Sequence, residues 1–561
     1  MLTRIFLIAL CLLSASASAA DYIDARGIPG RLFIVGGGAM PEDMLEQFVR
    51  LAGGKDAKLV VVPTASEKAD DEAGHAAMLE PFTKLEVASA VVMHTRDRDV
   101  ANSDEFLAPL REATGVWFGG GSQSLIAEAY VGTKLEEELL KLAARDGLIG
   151  GTSAGAAIQS RLMIASGNAV PVLKQGFDLL PDAVIDQHFA ERNRKPRLVH
   201  TIDKHRDHFG LGIDESTAVV VRGRQMRVLG TGNATVILPE GAGRPQKEIV
   251  IKAGGYADLT AFRRTVRDRN GKQFPSDVLE SPHVKNGALL IVGGGGLTGE
   301  MVDRFVEHAG GKKALIAILP ISSTQPGSGA SMQRYFAARG ATNTVVLEQR
   351  TRDEVESEEF LSVINKAGGV WFGGGRQWHF MDAYESTKAE AALHGVLARG
   401  GIMGGSSAGA SIQAEYMLRG SPLGNTDMMA DGYERGLNVL PGAAVDQHFS
   451  QRGRLKDMEG VMQRFPQLLG IGIDETTAIL VEGTRAEIMG PNVVSFYESD
   501  SEDGDSATGL KRTVLPGGTV FDFATRRELT GPPPLPEKKP TPRPRPRPRP
   551  PAPRTPVPAT K

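Results

Sequence analysis

Two serines stand in the pattern Gly-x-Ser-x-Gly, which is typical of a serine that acts as a nucleophile. One is Ser153, in Gly151-Thr-Ser-Ala-Gly155, and the other is Ser407, in Gly405-Ser-Ser-Ala-Gly409. The pattern predicts a sharp turn between a strand and a helix, with small neighbours because backbone segments approach closely there. A plain tight turn is the alternative, but the pattern recurs after two similar apolar segments. We therefore take both serines as candidate nucleophiles.

A serine nucleophile needs a base to accept its proton. Of the 11 histidines, only His188 and His448 lie in a motif that occurs twice, Asp-Gln-His-Phe. They follow their serines by 35 and 41 residues. A lone histidine is more often structural, but the repeated motif favours these two as the bases.

The base needs a carboxylate that fixes its tautomer and stabilises the imidazolium. Glu215 and Glu475 each lie 27 residues after the histidine, in Gly-Ile-Asp-Glu. The chain order is then Ser, His, Glu, which differs from that of the α/β-hydrolases and argues against an ordinary esterase or lipase. Other carboxylates in the same motifs compete for the role, namely Asp214, Asp474, Asp186 and Asp446.

Backbone N–H groups near the serines are the predicted donors to the oxyanion of the reaction. Glycine runs at residues 119–121 and 373–375 follow apolar segments, and glycine lets a backbone approach a reacting atom closely. Such donors stabilise the negative charge of a tetrahedral intermediate. The candidates are Gly120, Gly121 and Ala154 in the first site, and Gly374, Gly375 and Ala408 in the second.

Arginines follow both histidines and predict a substrate that carries carboxylates, because a guanidinium matches a carboxylate in a bidentate geometry. A solvated face is the alternative for such a run of charge. The two runs differ at one position, since Asp457 stands in the second where Arg197 stands in the first. The other arginines are Arg192 and Arg194 in the first run, and Arg452 and Arg454 in the second.

The sequence motifs that position these residues occur twice along the chain. The motif at residues 32–38 recurs after 257 residues, those at 115–121 and 150–156 after 254, and the histidine and glutamate motifs after 260. A nearly constant offset across five motifs indicates a duplicated domain. The predicted organisation is a signal peptide at residues 1–20, copy one at 21–262, a linker at 263–284, copy two at 285–530, and a disordered Pro/Arg-rich tail at 531–561.

Within each copy, short apolar segments that end in glycine alternate with amphipathic ones. Residues 32–35 and 59–62 have the composition of buried strands, whereas the apolar residues of 42–52 recur at helical spacing. The alternation predicts an α/β fold, as two tandem three-layer α/β/α domains with mainly parallel sheets. Ligands bind beyond the carboxyl ends of strands in such sheets, so the glycine runs and the serines fall on that edge.

Length and composition exclude several classes of protein. The chain has 561 residues, 41% hydrophobic and 23% charged, which suits large folded domains rather than a disordered or disulfide-rich protein. The net charge of −3 argues against a nucleic-acid binder, although the tail carries eight Lys/Arg against one Glu. We expect this tail to form an extended polyproline II rod, either a spacer or an adhesive for anionic surfaces.

The first 20 residues have the pattern of a secretory signal, with Arg4, an apolar run and then small residues up to Ala20. The one cysteine, Cys11, lies in this segment. The mature protein then has no cysteine, which excludes a thiol nucleophile and a zinc site with cysteine ligands. We expect a secreted or periplasmic protein without a membrane span.

These motifs resemble those of the cyanophycinases and the related dipeptidase E, a family of serine peptidases. The resemblance runs through both copies, from the Gly-Gly-Gly strand ends and the serine motif to Asp-Gln-His-Phe with its arginines and Gly-Ile-Asp-Glu-x-Thr-Ala. The histidine motif favours cyanophycinase over dipeptidase E. The resemblance implies a class I glutaminase-like fold. It also implies hydrolysis of cyanophycin, a poly-aspartate with arginine on each side-chain carboxylate, to β-Asp-Arg dipeptides without a metal or cofactor.

The same resemblance implies roles for individual residues. The triads are Ser153, His188 and Glu215 in copy one, and Ser407, His448 and Glu475 in copy two. Family members usually form dimers of one such domain, so the two halves are expected to pair as an intramolecular pseudo-dimer. Because Asp457 reverses a charge in copy two, copy one is the better candidate for cyanophycinase activity. The implied substrate contacts are Gln123, Asp186, Gln187, Arg192, Arg194 and Arg197 in copy one, and Gln377, Asp446, Gln447, Arg452 and Arg454 in copy two.

Two other functions are open on the sequence. One is an exopeptidase that acts on short aspartyl or isoaspartyl peptides. The other is a non-catalytic binding protein with relic sites, which is disfavoured because both copies keep serine, histidine and glutamate.

Overall fold

The computed structural model describes residues 23–499 and 509–529. The predicted signal peptide, Cys11 and the predicted tail therefore lie outside the described residues. In copy one the helices are α1 (Glu42–Leu51), α2 (His75–Thr83), α3 (Arg98–Ala101), α4 (Asp104–Glu112), α5 (Gln123–Tyr130), α6 (Lys134–Ala144), α7 (Ala154–Ala157), α8 (Lys195–Lys204) and α9 (Leu259–Asn270). Its strands are β1 (Ile28–Val35), β2 (Lys58–Val62), β3 (Ser89–Val92), β4 (Gly115–Phe118), β5 (Leu148–Thr152), β6 (Leu162–Ser166), β7 (Val172–Gln175), β8 (Ala183–Gln187), β9 (Phe209–Ile213), β10 (Thr217–Gly223), β11 (Gln225–Gly230), β12 (Asn233–Leu238), β13 (Lys247–Lys252) and β14 (Tyr256–Asp258).

Among its described residues, copy two repeats most of this order, without counterparts of β7 and α9 and with one additional strand at its end. Its helices are α10 (Gly299–His308), α11 (Ser328–Ala338), α12 (Arg352–Val355), α13 (Glu358–Lys366), α14 (Trp378–Tyr384), α15 (Lys388–Ala398), α16 (Ala408–Ser411) and α17 (Leu455–Arg464). Its strands are β15 (Val284–Val292), β16 (Ile316–Leu319), β17 (Thr344–Val346), β18 (Gly369–Phe372), β19 (Ile402–Ser406), β20 (Ala414–Met417), β21 (Leu440–Gln447), β22 (Leu469–Ile473), β23 (Ala478–Gly483), β24 (Arg485–Met489), β25 (Val493–Ser499), β26 (Leu510–Pro516), β27 (Val520–Asp522) and β28 (Arg527–Glu528).

The main sheet of each copy is parallel where the serine lies. In copy one the strand order is β14-β11-β10-β1-β5-β4-β2-β3, and the pairs from β1 to β3 are parallel. In copy two the order is β17-β16-β18-β19-β15-β23-β24-β27-β28, with parallel pairs from β17 to β15. Antiparallel strands extend each sheet on the other side. The predicted α/β fold with mainly parallel sheets is confirmed.

Helices cover both faces of the main sheet. In β1, Leu32 and Ile34 face a core shared with α4 and α6, whereas Phe33 and Val35 face a core shared with α1. The apolar face of α1 is buried as its spacing predicts, and Phe48 is fully covered. The alternation of one strand between two cores is the signature of a three-layer domain.

A second, smaller sheet supplies the histidine and the glutamate. In copy one it has the order β13-β12-β9-β8, and β8 and β9 are parallel. In copy two the order is β20-β21-β22-β25-β26, with β21 parallel to β22. The carboxyl ends of these pairs lie beside the carboxyl end of the first strand of the main sheet, since the His188 N–H donates to Gly36 O at 2.7 Å and the His448 N–H to Gly293 O at 2.7 Å.

The predicted linker at residues 263–284 begins inside a helix. α9 spans the expected boundary, and its residues Leu259, Phe262 and Val266 are buried in copy one. The segment contains many charged residues, and its arginines form ion pairs. Arg264 is buried against the acidic residues Asp382 and Glu385 of copy two.

The two halves contact each other through non-equivalent surfaces. Copy one contributes Arg224 and α9, and copy two contributes Asp382 and Tyr433. The position of Arg224 is occupied in copy two by Thr484, which donates to Asp522 of its own copy at 2.6 Å. A two-fold pair would place equivalent surfaces against each other. The contacts seen among the described residues join unlike surfaces of the two copies, so the expected pseudo-dimer stays a prediction.

Within the described ranges, no helix combines the length and apolar character needed to cross a membrane.

Candidate active site

Each candidate nucleophile sits on a strained turn at the carboxyl end of a parallel strand. Ser153 follows β5 with φ 52° and ψ −105°, and Ser407 follows β19 with φ 57° and ψ −114°. A positive φ is costly for a residue other than glycine and persists where the surroundings impose it. The N–H of Ser153 donates to Val35 O at 3.0 Å, and that of Ser407 to Val292 O at 3.1 Å. These bonds hold each turn against the central strand of its sheet.

The serine, histidine and glutamate of copy one form a continuous chain of hydrogen bonds. Ser153 Oγ lies 2.9 Å from His188 Nε2, and His188 Nδ1 lies 2.5 Å from Glu215 Oε1. Because the carboxylate faces Nδ1, that atom carries the proton and Nε2 is free to accept from the serine. The arrangement is that of a catalytic triad.

Copy two has the same arrangement with nearly the same distances. Ser407 Oγ lies 2.9 Å from His448 Nε2, and His448 Nδ1 lies 2.6 Å from Glu475 Oε1. Both copies therefore contain the complete set of groups for nucleophilic catalysis.

The competing carboxylates have other partners. Asp214 accepts from the N–H groups of Ala190 at 3.2 Å and Asn233 at 2.9 Å, so it closes the loop around the histidine. Asp474 accepts from the N–H of Ser450 at 2.9 Å in the same manner. Asp186 and Asp446 are fully buried and pair with arginines.

Glycines after the first strand make room for the base and the acid. A Cβ on Gly37 would overlap the ring of His188, and one on Gly38 would overlap Glu215. Gly294 and Gly295 have the same relation to His448 and Glu475. Sequence reasoning noted these glycine runs but gave them no role. The feature of the sequence that could have indicated this role is that each run directly follows a buried strand.

Candidate oxyanion donors lie beside each serine, in the glycine run and in the residue that follows the serine. The N–H groups of Gly120, Gly121 and Ala154 have no acceptor among the described residues of copy one. The same holds for Gly374, Gly375 and Ala408 in the described part of copy two. A Cβ on Gly120 would lie 3.5 Å from Ser153 Cβ, which places this glycine beside the nucleophile. The geometry suits donors to an oxyanion.

The surroundings of both histidines favour the neutral imidazole. Burial lowers the pKa of His188; the hydrogen bond to Glu215 raises it, and the positive charges of Arg192 and Arg194 lower it. The pKa of His448 is lowered for the same reasons, with Arg452 and Arg454 as the nearby charges. A neutral imidazole is the form that accepts the serine proton.

Some predicted substrate contacts serve the framework instead. Arg197 forms a fork on Asp186, with Nε at 2.7 Å and Nη2 at 2.5 Å, and its Nη1 donates to Gly167 O. Both side chains are buried, so this pair holds β8 rather than faces a substrate. Gln123 Nε2 donates to Ile164 O at 2.7 Å, and Gln377 Nε2 to Leu418 O at 2.6 Å. These residues match family motifs because they shape the site.

Other predicted contacts remain available to a ligand. Arg192 and Arg452 are exposed, and neither forms an ion pair with any described residue. Arg194 donates to Gln187 O at 2.8 Å, and burial together with Arg197 and Arg192 lowers its pKa to about 10. An excess of guanidinium groups around one buried carboxylate favours an anionic ligand.

The two sites differ at the glutamine before the histidine. Gln187 Oε1 in copy one is buried without a hydrogen-bond partner among the described residues. Gln447 Oε1 in copy two accepts from Arg454 Nη1 at 2.9 Å. A buried acceptor without a donor is costly, so Gln187 has an unmet capacity to accept from a substrate N–H.

The negative charge of Asp457, expected from the sequence, is compensated by an arginine. Arg419 lies within hydrogen-bond distance of both Asp446 and Asp457, with Nη2 at 3.2 and 2.6 Å from their Oδ2 atoms. Sequence reasoning missed Arg419 because it lies outside the shared motifs, in a segment where the two copies differ. A guanidinium is therefore retained beside Asp446.

Comparisons with known proteins match each copy. The sequence model of Peptidase family S51 matches residues 32–229 and again residues 289–489. A cyanophycinase from Synechococcus elongatus is 35% identical over 225 residues, which cover 38% of this chain and 69% of that protein. A cyanophycinase from Geminocystis herdmanii is 29% identical over 205 residues, covering 35% of this chain and 75% of that protein. The crystal structure of a peptidase from an acI-B1 Actinobacterium aligns with 42% of this chain and 98% of its own, at 20% identity and a TM-score of 0.34.

Proposed function

Because this chain belongs to peptidase family S51, it is a serine peptidase, and we propose that it hydrolyses cyanophycin to β-Asp-Arg dipeptides through a Ser-His-Glu triad in each copy. The observation that carries the proposal is the hydrogen-bonded chain from Ser153 through His188 to Glu215. Its repetition in copy two supports a second catalytic centre.

The chemistry of the proposed reaction follows from the positions of these groups. Ser153 Oγ attacks the carbonyl carbon of the scissile amide while His188 Nε2 accepts its proton, and Glu215 stabilises the imidazolium. The oxyanion accepts from the N–H groups of Ala154 and Gly120. His188 then gives the proton to the leaving amine, and the C–N bond breaks to leave an acyl-enzyme. Water attacks the acyl carbonyl carbon while His188 accepts its proton, and His188 returns that proton to Ser153 Oγ as the ester bond breaks.

The charges around the site support a substrate that contains both carboxylates and guanidinium groups. Arg192 is exposed and has no ion-pair partner within residues 23–499 and 509–529, so it suits a carboxylate of an aspartate polymer. Gln187 Oε1 is a buried acceptor that suits an N–H of an arginine side chain or an amide. We propose copy one as the more active cyanophycinase, since the Oε1 atom of Gln447 in the second site already accepts from Arg454.

We also propose that the protein is secreted or periplasmic, on the basis of the signal-like residues 1–20. In that location it would degrade polymer released by other cells. We further propose that the halves act as one rigid unit, which the ion pairs of Arg224 and Arg264 with Asp382 support.

Incubation of the full-length mature protein with insoluble cyanophycin, and separately with Asp-X and isoaspartyl dipeptides, tests the substrate. Release of β-Asp-Arg from the polymer alone, measured by mass spectrometry, is the expected result. Hydrolysis of the dipeptides with the polymer untouched would instead identify an exopeptidase. Binding of the polymer without any turnover would identify a binding protein with relic sites.

A further inference from the structure

Each copy holds a fully buried aspartate directly before the Gln-His pair, and each neutralises it with a fork of arginine hydrogen bonds. In copy one, Asp186 on β8 accepts hydrogen bonds from Arg197 on α8. In copy two, Asp446 on β21 receives Arg419, whose Nε lies 3.2 and 3.3 Å from the two carboxylate oxygens. The carboxylates are equally buried, with 0% of the side chain exposed in both. Each aspartate also has a second arginine neighbour, with Arg194 Nη1 at 3.4 Å from Asp186 Oδ1 and Arg454 Nη1 at 2.7 Å from Asp446 Oδ1. The fork of Arg197 or Arg419 adds a contact at two nitrogen atoms, which fixes the direction of the carboxylate.

The two arginines come from different places in the chain. Gln123 donates to Ile164 O and Gln377 donates to Leu418 O, so Ile164 and Leu418 are equivalent. Arg419 therefore occupies the position of Ala165 in copy one, and Asp457 occupies that of Arg197. The guanidinium that contacts the buried aspartate comes from the helix in copy one and from the segment after the strand in copy two. In copy two a carboxylate occupies the helix position.

Three observations indicate that this exchange is specific rather than incidental. Arg419 Nη2 donates to Asp457 Oδ2 at 2.6 Å, so the new carboxylate orients the new guanidinium. Arg419 Nη1 donates to Asn425 O at 2.9 Å, just as Arg197 Nη1 donates to Gly167 O. Arg419 also has φ 59°, a conformation that a residue other than glycine keeps only where its contacts impose it.

The two copies also differ in the residue beside the triad glutamate. Glu191 accepts from the N–H of Glu215 in copy one, and the neutral Gln451 accepts from the N–H of Glu475 in copy two. Copy two therefore lacks the carboxylate that Glu191 places beside the triad glutamate, and it has an additional one, Asp457, beside Arg419.

We propose that Arg419 is the positioning residue of the second catalytic site, where it holds Asp446, and with it the strand end that carries His448, as Arg197 does in the first. Asp457 is then the orienting partner of Arg419 and not a sign of a lost site. This inference rests on the proposed function of copy two as a catalytic centre.

The test uses the full-length protein with Ser153→Ala, so that only Ser407 reacts, and measures the rate at which a fluorophosphonate probe labels Ser407. Labelling requires the hydrogen bond between the serine and its histidine, but it does not depend on the natural substrate. We expect Arg419→Ala to slow labelling by about tenfold or more, because a displaced base loses its alignment with the serine. Arg419→Ala with Asp457→Arg restores the guanidinium from the helix and should recover the rate, whereas Arg419→Ala with Asp457→Ala should not.

The reciprocal exchange in copy one keeps the test decisive if Arg419→Ala does not fold. With Ser407→Ala as the background, Arg197→Asp should slow labelling of Ser153, and Arg197→Asp with Ala165→Arg should recover it. Recovery in either copy supports the proposal. An unchanged rate in Arg419→Ala, or failure of both exchanges, overturns it. If labelling follows these expectations while no peptide or polymer is hydrolysed, the proposed substrate is wrong and the role of Arg419 stands.

Discussion

Gly37 lies directly against the imidazole ring of His188, with no space for a Cβ between them. Its φ of 106° is also one that side chains rarely adopt. Gly294 and His448 repeat this relationship in copy two. The glycine after the first strand therefore sets how closely the base approaches the nucleophile.

We expect Gly37→Ala to reduce kcat of copy one by about 10²-fold, because a shift of ~1 Å in a catalytic group has an effect of this size. The measurement is turnover in a Ser407→Ala background, so that copy two is silent. Gly54→Ala is the matched control, since Gly54 also has a positive φ of 64° but faces open space. Equal losses in the two variants would mean that backbone strain, not the contact with His188, is responsible.

Replacement of both serines should abolish hydrolysis and leave the fold intact. Loss of a triad serine lowers kcat by about six orders of magnitude in other serine peptidases, and the side chain is small and partly exposed here. Ser153→Ala and Ser407→Ala should be assayed singly and together, with circular dichroism as the control for folding. We expect Ser153→Ala to remove most cyanophycin turnover. Persistent turnover in the double variant would falsify the serine mechanism.

The activity of copy one should persist below the pH at which an ordinary histidine protonates. Burial lowers the pKa of His188 below its usual value of 6.5, and activity is lost only as the pH falls through that lowered pKa. The acid limb of kcat/KM reports this group in the free enzyme.

Removal of a neighbouring positive charge should move that limb. Arg192 lowers the pKa of His188, so Arg192→Gln should raise the pKa and shift the acid limb to higher pH. Arg111→Gln, at an exposed position on α4, is the control and should not move it. An acid limb that stays in place in Arg192→Gln would contradict the assigned electrostatics.

The contact between the halves should be sensitive to a single arginine. Arg264 is buried and pairs with Asp382 and Glu385, and removal of one partner of a buried ion pair costs about 3–5 kcal/mol. We expect Arg264→Ala to lower the unfolding temperature markedly. Arg263→Ala is the matched control on the same helix, since Arg263 pairs with Asp182 within copy one.

The same contact should weaken in acid. Burial raises the pKa of Glu385, but Arg264 and Arg267 lower it to about 2, below the usual value of 4.5. A carboxylate with a lowered pKa contributes stability that is complete above its unfolded value and is lost as the pH falls from about 4.5 towards 2. Glu385→Gln should flatten this loss in a series of thermal unfolding curves.

Much of the fold could be predicted from local patterns. Alternating apolar strands and an amphipathic helix at residues 42–52 specify layers, because burial of these faces is the main driving force for folding. The duplication was visible because the residues that shape each serine turn recur at constant offsets. Helix α9 crosses the predicted boundary at residue 262, and its charged residues resemble a linker in sequence because their partners lie in copy two.

The sequence by itself determined that there are two copies, which serine and histidine belong together in each, and the order of the groups along the chain. Tertiary structure decided which carboxylate contacts the imidazole. Asp214 and Glu215 are adjacent in sequence, and the path of the chain after β9 directs Glu215 to His188 and Asp214 to the backbone of Ala190. It also decided that Asp446 is paired with Arg419 and that Arg224 meets Asp382 of the other copy. These are contacts between residues far apart in the chain, and spacing along a sequence does not encode the distance between two such side chains in space.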